Sequence, residues 1–252
     1  MPNALKSHPR HESLRIRELI AEGVKKGITS EHGLIAHGRG EAFDYLLGEK
    51  TNDFAVDAIE AAAALLLTAK APVVSVNGNS AALVPEELAE LSNVLNCPLE
   101  VNIFHSSNDR EIKIKDHLLN NGAKNVLLPE NDIILRHLDS NRKYINKNGI
   151  AKADVVFVPL EDGDRTEALV KNGKKVVTAD LNPLSRTAQE ATITIVDNII
   201  RAMPLLINSI KQYKNKNYGK NKLAEIINNY NNKIALGDAL MNIRQGSSPL
   251  PK

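Results

Sequence analysis

Cysteine, tryptophan and long apolar runs are scarce or missing in this 252-residue chain, and each shortage excludes a class of protein. Cys97 is the single cysteine, so neither an intrachain disulfide nor a zinc site of several thiolates can form. The longest wholly apolar run, residues 61–67, is far shorter than the ~20 residues that a membrane-spanning helix needs. The first residues also lack the apolar stretch of a secretory signal. We therefore expect a cytoplasmic protein without membrane contacts.

Several widespread catalytic motifs are absent as well. The chain contains no G-x-x-x-x-G-K-[ST] loop, no G-x-G-x-x-G dinucleotide fingerprint and no G-x-S-x-G nucleophile elbow. Its seven histidines show no H-x-x-x-H spacing, so the sequence predicts no metal ligands of its own. Cys97 precedes a proline at a predicted strand start, which favours a core position.

The first 70 residues predict a helical layer. Residues 12–24 and 53–69 carry apolar side chains at helical spacing. Four glycines between residues 27 and 40 predict a loop, which a short helix at 41–47 follows. We expect this layer, residues 1–70, to pack on the segment that comes next.

After residue 70, short β-branched runs alternate with helices. Strands that are apolar on both faces and alternate with helices are typical of a parallel sheet sandwiched between helices. The sequence therefore predicts an α/β fold with a doubly wound, mostly parallel, Rossmann-like sheet over residues 71–210. With the helical layer, this sheet forms one domain, residues 1–210. The predicted strands are 73–76, 99–104, 126–128, 154–160, 175–180 and 192–196.

Two polar segments fall outside this alternation. Residues 130–150, rich in Asn, Asp, Arg and Lys, look like a surface insertion. Residues 211–252, which begin with a predicted hinge at 212–219, look like a basic Asn- and Lys-rich helical tail. The whole chain has a net charge of +2, yet nine basic and only two acidic residues follow residue 200. Such a segment can contact nucleic acid, but aromatic stacking partners are nearly missing, so a solvated helical tail is favoured and nucleic acid is not expected as a partner.

Polar segments follow four of the predicted strands, at the edge where an open parallel sheet binds ligands. Each segment alone has a simpler explanation as a turn, a helix cap or a salt bridge. All four at one edge favour a site for a phosphorylated anion, with Mg²⁺ bridging phosphates to carboxylates. The residues concerned are Asn77, Gly78, Asn79, Asp162, Asp164, Asp180, Leu181, Asn182, Arg186, Thr187 and Asn198.

The N-terminal layer adds cationic and titratable side chains. Arg17 lies on the flank of an apolar helical stripe, where it is either solvated or within reach of a buried anion. His37 and Arg39 lie between glycines, which allow the backbone to approach a ligand closely. His37 is then a general base, a phosphate donor or a structural histidine. The cationic side chains in this layer indicate that the substrate is an anion.

Five longer segments are specific enough to carry a resemblance to a known family. They contain HPR and ESL within residues 8–14, GLIAHGRGEAFDYLLGE at 33–49, SVNGN at 75–79, VPLEDGDRTEALV at 158–170 and DLNPLSRTA at 180–188. Together they closely resemble the archaeal phosphopantothenate synthetase family, also called 4-phosphopantoate–β-alanine ligases. The resemblance extends from about residue 8 to residue 210 and leaves the basic tail outside.

The resemblance implies an ATP-dependent ligase of coenzyme A biosynthesis that works as a homodimer with Mg²⁺. Such an enzyme joins 4-phosphopantoate to β-alanine through an acyl-adenylate and releases AMP and diphosphate. Two other functions stay open on the residues alone: a kinase or phosphotransferase acting on a small hydroxy acid, and a nucleotide- or nucleic-acid-binding module. The family pattern implies nucleotide-binding positions at Arg17, Arg39, Asp180, Leu181, Asn182, Arg186, Thr187, Asn198 and Ile199.

The chemistry of such a ligase suggests further roles. We expect Arg39 and Arg186 to stabilise charge around the reacting phosphates. A base for the incoming amine, if solvent does not serve, is His37, Asp162 or Asp164. The turn of Asn77, Gly78 and Asn79, together with Arg17, is a candidate for binding either the phosphate of 4-phosphopantoate or the triphosphate.

Overall fold

A sheet of six parallel strands forms the centre of the computed structural model, which describes residues 7–8, 10–104, 107–160 and 162–246. The strands are β1 (Pro72–Val76), β2 (Leu99–Val101), β3 (Val126–Leu127), β4 (Glu130–Ile134), β5 (Tyr144–Ile145), β6 (Val155–Pro159), β7 (Lys175–Ala179) and β8 (Ile193–Ile195). Strands β4 and β5 form a separate antiparallel pair. The other six have the order β3-β2-β1-β6-β7-β8, with every pairing parallel. The chain winds outward from β1 to β3, returns beside β1 and winds outward again to β8, which confirms the predicted doubly wound α/β class.

Helices precede, connect and follow these strands. None of the described helices is long and apolar enough to cross a bilayer. They are α1 (His11–Lys25), α2 (Glu31–Leu47), α3 (Asp53–Thr68), α4 (Gly78–Leu83), α5 (Pro85–Leu95), α6 (Asn108–Asn120), α7 (Gly163–Lys171), α8 (Arg186–Glu190), α9 (Ile199–Asn215), α10 (Lys220–Asn229) and α11 (Asn232–Gln245).

The two faces of the sheet are buried in two separate hydrophobic clusters. In β6, Val155 and Phe157 belong to one cluster, and Val156 and Val158 belong to the other. This division follows because successive side chains of a strand point to opposite faces. Helices α3 and α9 supply side chains to the first cluster, and α7 supplies side chains to the second. Because both faces are covered, the strands appear in the sequence as nearly continuous apolar runs.

Helix α2 replaces the loop that the glycine content predicts for residues 27–40, so that prediction is wrong. From Glu31 to Leu47 the segment is one continuous helix, which includes the shorter helix predicted after the loop. The glycines allow close helix packing, because a Cβ at Gly33 would lie 2.3 Å from Oδ1 of Asn79. The helix ends at Gly48, whose φ of 88° is the left-handed conformation typical of a glycine cap.

Residues 130–150, which their composition predicts to be a surface insertion, are partly exposed but also pack on the sheet. The carboxylate of Glu100, a fully buried residue of β2, accepts hydrogen bonds from the backbone N–H groups of Asn146 (3.0 Å) and Ile150 (2.6 Å). Burial raises the pKa of Glu100 to about 7, although these two donors act in the opposite direction. The segment covers the second face of the sheet with a few apolar residues. These residues are easily overlooked in the sequence because most of their neighbours are polar. Those buried residues are Leu135, Leu138, Ile145 and Ile150.

The C-terminal segment is helical as predicted, but its helices pack on the core. Helix α9 runs on to Asn215, into the predicted hinge, and α10 and α11 lie against α3. Asn232 donates hydrogen bonds to the carbonyls of Ala188 (2.9 Å) and Ala191 (3.1 Å) and accepts one from the backbone of Thr194 (2.8 Å). The tail therefore protects the β8 edge of the sheet. Its buried side chains are those of Leu223, Ala235, Leu236 and Ala239.

We expect Leu236→Ala to lower the free energy of unfolding by about 2–4 kcal/mol, because the truncation leaves a cavity in the main cluster. Leu236 is 7% exposed, whereas Ile234 on the same helix is 63% exposed. Ile234→Ala is the matched control and changes the free energy by about 0.5 kcal/mol or less. Urea unfolding followed by circular dichroism measures both variants. Equal unfolding midpoints would show that α11 contributes nothing to the stability of the fold.

Candidate active site

A cavity of about 880 Å³ opens at the carboxyl ends of the parallel strands. It spans the switch point between β1 and β6, where ligands of doubly wound sheets bind. Every site residue predicted from the sequence lines this cavity except Arg17. These residues are His37, Arg39, Asn77, Gly78, Asn79, Asp162, Asp164, Asp180, Leu181, Asn182, Arg186, Thr187, Asn198 and Ile199.

The switch point divides the cavity into two halves. The β7 half consists of the segments that follow β7 and β8, together with Arg39 of α2. The β1 half consists of the segments that follow β1 and β2, together with Arg110 of α6 and Arg142, which lies just before β5. The β7 half also contains Arg186, so each half has two arginines. Two cationic regions in one cavity suit ligands that carry several negative charges.

Asp180 organises the loop that follows β7. Its Oδ1 accepts a 2.9 Å hydrogen bond from the backbone N–H of Asn182, and its Oδ2 accepts one from the hydroxyl of Ser185. Burial raises the pKa of Asp180, while Ser185, Asn182 and the charge of Arg39 act in the opposite direction. The loop is thus fixed, with Leu181 and Asn182 at the cavity wall.

Arg39 and Arg186 are the cations of the β7 half. The exposed guanidinium of Arg39 has no hydrogen-bond or ion-pair partner within the described ranges. Arg186 donates to Glu167, and the pKa of Glu167 falls to about 2 because it accepts hydrogen bonds from Lys171 and Arg186. The side chain of Arg186 packs directly over Gly163, where an added Cβ would lie 2.5 Å from the Cβ of Arg186. Arg39 is therefore available to an incoming anion, whereas Arg186 is oriented by its neighbours.

A partly buried ion-pair network positions Asn198 and Ile199 at the start of α9. Arg201 lies 2.5 Å from a carboxylate oxygen of Asp44 and 2.6 Å from one of Asp197. The Nδ2 of Asn198 donates a 2.8 Å hydrogen bond to Asp44. Because Asp44 belongs to α2, the network also fixes the helix that carries two of the predicted catalytic side chains.

The turn after β1 is occupied by contacts within the protein. The Oδ1 of Asn77 accepts a 3.0 Å hydrogen bond from the backbone of Ser80, and its Nδ2 donates a 2.5 Å bond to the carbonyl of Leu160. The Nδ2 of Asn79 donates a 3.0 Å bond to the carbonyl of Gly33. These amides connect the turn to α4, α2 and the end of β6.

The two aspartates after β6 are both engaged. The Oδ2 of Asp162 lies 2.8 Å from NH1 of Arg142. The Oδ1 of Asp164 accepts a 2.8 Å hydrogen bond from the backbone N–H of Arg165. Both carboxylates thus have structural partners at the border between the two halves of the cavity.

His37 differs from these aspartates because its Nε2 is buried and has no hydrogen-bond partner among the described residues. Burial lowers its pKa; the charges of Glu41 and Asp44 act against this shift, and that of Arg17 reinforces it. The imidazole is therefore neutral near pH 7, and its unpartnered nitrogen is able to accept a proton.

Arg17 lies outside the main cavity. Its Nε is 2.9 Å from Oε2 of Glu41, and both residues line a neighbouring groove with Tyr45. Burial acts to raise the pKa of Glu41, but hydrogen bonds from Arg17 and Tyr45 lower it. Within one chain, Arg17 is therefore neutralised at the surface and is not brought to the other predicted nucleotide-binding residues.

Comparison with known proteins shows to which family the chain belongs. The model of the phosphopantothenate/pantothenate synthetase family matches residues 54–246. The chain belongs to this family. A protein of Thermococcus kodakarensis named 4-phosphopantoate–β-alanine ligase is 51% identical over 97% of this chain and 93% of its own length. A protein of Thermococcus onnurineus with the same name is 53% identical over 95% of this chain and 91% of its own length. The ligase of Methanosarcina mazei is 48% identical over 94% of this chain and 93% of its own length.

The family match corrects the predicted extent of the resemblance. It continues to residue 246 and includes α10 and α11. The prediction that the resemblance ends near residue 210 is therefore wrong, and the C-terminal helices of this synthetase-family chain lie within the family match.

Mg²⁺ fits this cavity only as an ion shared with phosphates. The described residues contain no group of three or more His, Cys, Asp and Glu side chains placed to hold a metal. In phosphate sites, Mg²⁺ usually keeps several waters and takes one or two carboxylates plus substrate phosphates. Asp162, Asp164 and Asp180 line the cavity and are the carboxylates that such an ion would find there.

Two arginines that line the cavity of this family member, Arg110 and Arg142, are not among the site residues predicted from the sequence. Arg142 is 4% exposed and lies in the segment interpreted as a surface insertion. The predicted strand 99–104 is also too long, because β2 ends at Val101 and places Asn102 at the strand end. One feature of the sequence does indicate that residues 130–150 pack on the core, namely the apolar residues within this polar segment.

Proposed function

We propose that this chain is an ATP-dependent ligase that joins 4-phosphopantoate to β-alanine and gives 4′-phosphopantothenate, AMP and diphosphate. The observation that carries the proposal is the cavity at the switch point, where the predicted nucleotide-binding segments and a second cationic region face one space. Relatives that share about half of its residues along nearly their whole length have this activity as their name.

The first step activates the acid. A carboxylate is a poor electrophile because its leaving group would be oxide, so one of its oxygens first attacks the α-phosphorus of ATP. The bond from the α-phosphorus to the bridging oxygen breaks, and diphosphate leaves. The product is an acyl-adenylate, whose leaving group in the next step is AMP. Little covalent work falls to the protein, so positioning and charge neutralisation supply most of the acceleration.

The β7 half of the cavity supports this step. The guanidinium of Arg39, which has no partner among the described residues, neutralises charge that builds up around the α-phosphorus, and Arg186, which pairs with Glu167, acts with it. Asp180 and Asn182 hold the loop against which the nucleoside rests, with Leu181, Thr187, Asn198 and Ile199 as further walls. Mg²⁺, when bound with the nucleotide, supplies additional charge neutralisation at the phosphates.

The second step transfers the acyl group. The amine of β-alanine attacks the acyl carbon, the bond from that carbon to the AMP oxygen breaks, and the amine nitrogen loses a proton. Among the three candidate bases, His37 is best suited, because its Nε2 has no partner among the described residues while Asp162 and Asp164 are engaged. Burial keeps the imidazole neutral and ready to accept this proton.

We expect His37→Gln to lower kcat at pH 7 about tenfold. This is smaller than most general-base effects, because solvent also accepts the proton. The pKa of His37 is lowered, so the neutral imidazole persists below the ordinary histidine range, and activity falls only at more acidic pH. Measuring kcat/KM for β-alanine against pH shows this acidic limb in the wild type. The limb disappears in His37→Gln, and an unchanged limb would exclude His37 as the base.

His32→Gln is the matched control, because His32 lies on the same helix and also lines the cavity but is exposed. We expect the control to retain the acidic limb. Thermal unfolding of both variants confirms that each remains folded at the assay temperature.

Product identification tests the ligase proposal itself. The protein is incubated with ATP, Mg²⁺, 4-phosphopantoate and β-alanine, and each component is omitted in turn. A ligase forms AMP and diphosphate in amounts equal to 4′-phosphopantothenate, and net product requires both acid and amine. Formation of ADP without β-alanine would identify a kinase instead, and RNA binding without ATP consumption would identify a nucleic-acid-binding module.

We also propose a cytoplasmic homodimer, in which a second copy brings its charges to the groove occupied by Arg17. Sedimentation equilibrium measures the mass in solution. A monomer would remove Arg17 from the nucleotide-binding residues, since one chain keeps it outside the main cavity.

A further inference from the structure

The β1 half of the cavity has a cationic region that no nucleotide-binding segment uses. Arg110 and Arg142 line it, whereas Arg39 and Arg186 lie with the β7 loop on the other side of the switch point. Arg39 is close enough to Asp180 to influence its pKa, and Arg186 packs over Gly163. The two pairs of arginines therefore belong to different halves of the cavity.

Arg142 is buried and held in one orientation. Its Nε donates a 3.1 Å hydrogen bond to Oδ1 of Asn102, and its NH1 lies 2.8 Å from Asp162. The Nδ2 of Asn102 in turn donates to the carbonyls of Arg142 (3.2 Å) and Tyr144 (3.1 Å). Asn102 comes directly after β2, so the end of this strand positions the guanidinium of Arg142.

The segment that carries Arg142 is attached to the same strand a second time. Glu100 of β2 accepts the two backbone hydrogen bonds from residues 146 and 150 described above. A Cβ at Gly149 would lie 2.0 Å from Oε2 of Glu100, so only glycine allows this approach. Burying a carboxylate and an arginine in this way is costly and indicates a requirement for a fixed guanidinium at the cavity wall.

Arg110 approaches the same half from α6. Its NH2 donates a 3.2 Å hydrogen bond to the carbonyl of Ile28. A Cβ at Gly78 would lie 2.6 Å from that carbonyl oxygen and 3.1 Å from the Arg110 NH2. Gly78 therefore leaves the space through which Arg110 reaches the cavity.

The other polar side chains of this half are less suited to a doubly charged ligand. The amides of Asn77 and Asn79 bind Ser80, Leu160 and Gly33, and they carry no charge. Arginine guanidinium groups match the geometry of phosphate oxygens and keep their charge at every physiological pH.

We propose that Arg110 and Arg142 form the subsite for the phosphate monoester of the acid substrate; this inference rests on the proposed ligase function. The phosphate binds over β1 and β2, and the carboxylate of the same molecule points across the switch point toward Arg39 and the α-phosphorus of ATP. The two substrates then lie end to end across the cavity, and phosphorylated acids are preferred over acids without the phosphate.

Arg142→Gln tests this subsite through the Michaelis constants of the separate substrates. We expect KM for 4-phosphopantoate to rise about tenfold or more, the size of losing a hydrogen bond to a charged group, while KM for ATP changes less than about twofold. Pantoate, which lacks the phosphate, serves as a competitive inhibitor, and its inhibition constant stays at the wild-type value. Equal increases for ATP and acid, or an unchanged KM for the acid, would overturn the proposal.

Two further variants guard against a folding defect. Arg142→Lys retains the charge and recovers part of the affinity for 4-phosphopantoate, and Arg110→Gln, which changes a less buried residue, gives the same selective increase in KM. Arg136→Gln is the matched control, because Arg136 is an exposed residue of the same segment. We expect this control to behave as the wild type.

Calorimetric titration separates the subsite from the overall reaction. If the wild type forms no AMP, the proposed ligase function fails. Titration of 4-phosphopantoate into the ATP-free wild type and Arg142→Gln still decides the subsite. Weaker binding by about tenfold in the variant supports the proposal, and equal binding, or no binding to the wild type, rejects it.

Discussion

Replacement of Arg39 with alanine lowers kcat/KM at least about thirtyfold, which corresponds to ~2 kcal/mol of lost transition-state stabilisation. The effect is large because the guanidinium has no hydrogen-bond or ion-pair partner among the described residues, so its N–H donors are available to the phosphates. Arg39 is also exposed at the cavity wall, so its removal leaves no cavity in the core. Steady-state kinetics with each substrate varied in turn measures the loss.

The matched control for this variant is Arg15→Ala. Arg15 also lies on an N-terminal helix but pairs with Glu12 on the surface, 2.5 Å away. We expect wild-type kinetics and nearly wild-type stability from the control, since exposed ion pairs contribute about 1 kcal/mol or less. Near-wild-type turnover in Arg39→Ala would remove Arg39 from the active-site residues.

The second large effect is expected from Asp44→Ala, which removes the centre of the network that joins α2 to α9. Asp44 is 5% exposed and accepts from both Arg201 and Asn198. The substitution removes one of the two carboxylates that pair with Arg201 and leaves the Nδ2 of Asn198 without its acceptor, so we expect a loss of about 2–3 kcal/mol in the free energy of unfolding. Urea unfolding measures this loss.

Asp57→Ala on the exposed face of α3 is the control for Asp44→Ala and shifts the free energy of unfolding by about 0.5 kcal/mol or less. Asp44→Ala also weakens ATP binding at temperatures where the variant is folded, because Asn198 and α2 lose their common anchor. A stability loss equal to that of the control would show that the network contributes nothing.

The doubly wound sheet could be predicted from the sequence because each of its central strands is a short apolar run with a helix on either side. Because ligands of open parallel sheets bind at the carboxyl ends of the strands, the position of the cavity could also be predicted from the order of the strands and the segments that follow them. Asp162 lies three positions beyond the end of β6, Asp180 directly follows β7, and both line the cavity. Local sequence was sufficient at these positions, because strand ends and topology determine where their side chains lie.

The remaining features depend on contacts between distant segments. The glycines of residues 33–40 indicate a loop by local propensity, but packing of α2 against Asn79 makes the segment helical. Arg142 is placed by Asn102, forty positions earlier in the chain. The tail is held by Asn232 at the β8 edge. No local pattern contains such tertiary contacts, so these features could not be predicted.

Oxygen-18 transfer tests the central claim, that ATP activates the acid carboxylate within this cavity. The reaction is run with 4-phosphopantoate labelled in both carboxylate oxygens, and the nucleotide product is examined by mass spectrometry. Attack on the α-phosphorus followed by amide formation places one labelled oxygen in the phosphate of AMP. Label in ADP or inorganic phosphate, or AMP that carries no label, would contradict activation through an acyl-adenylate.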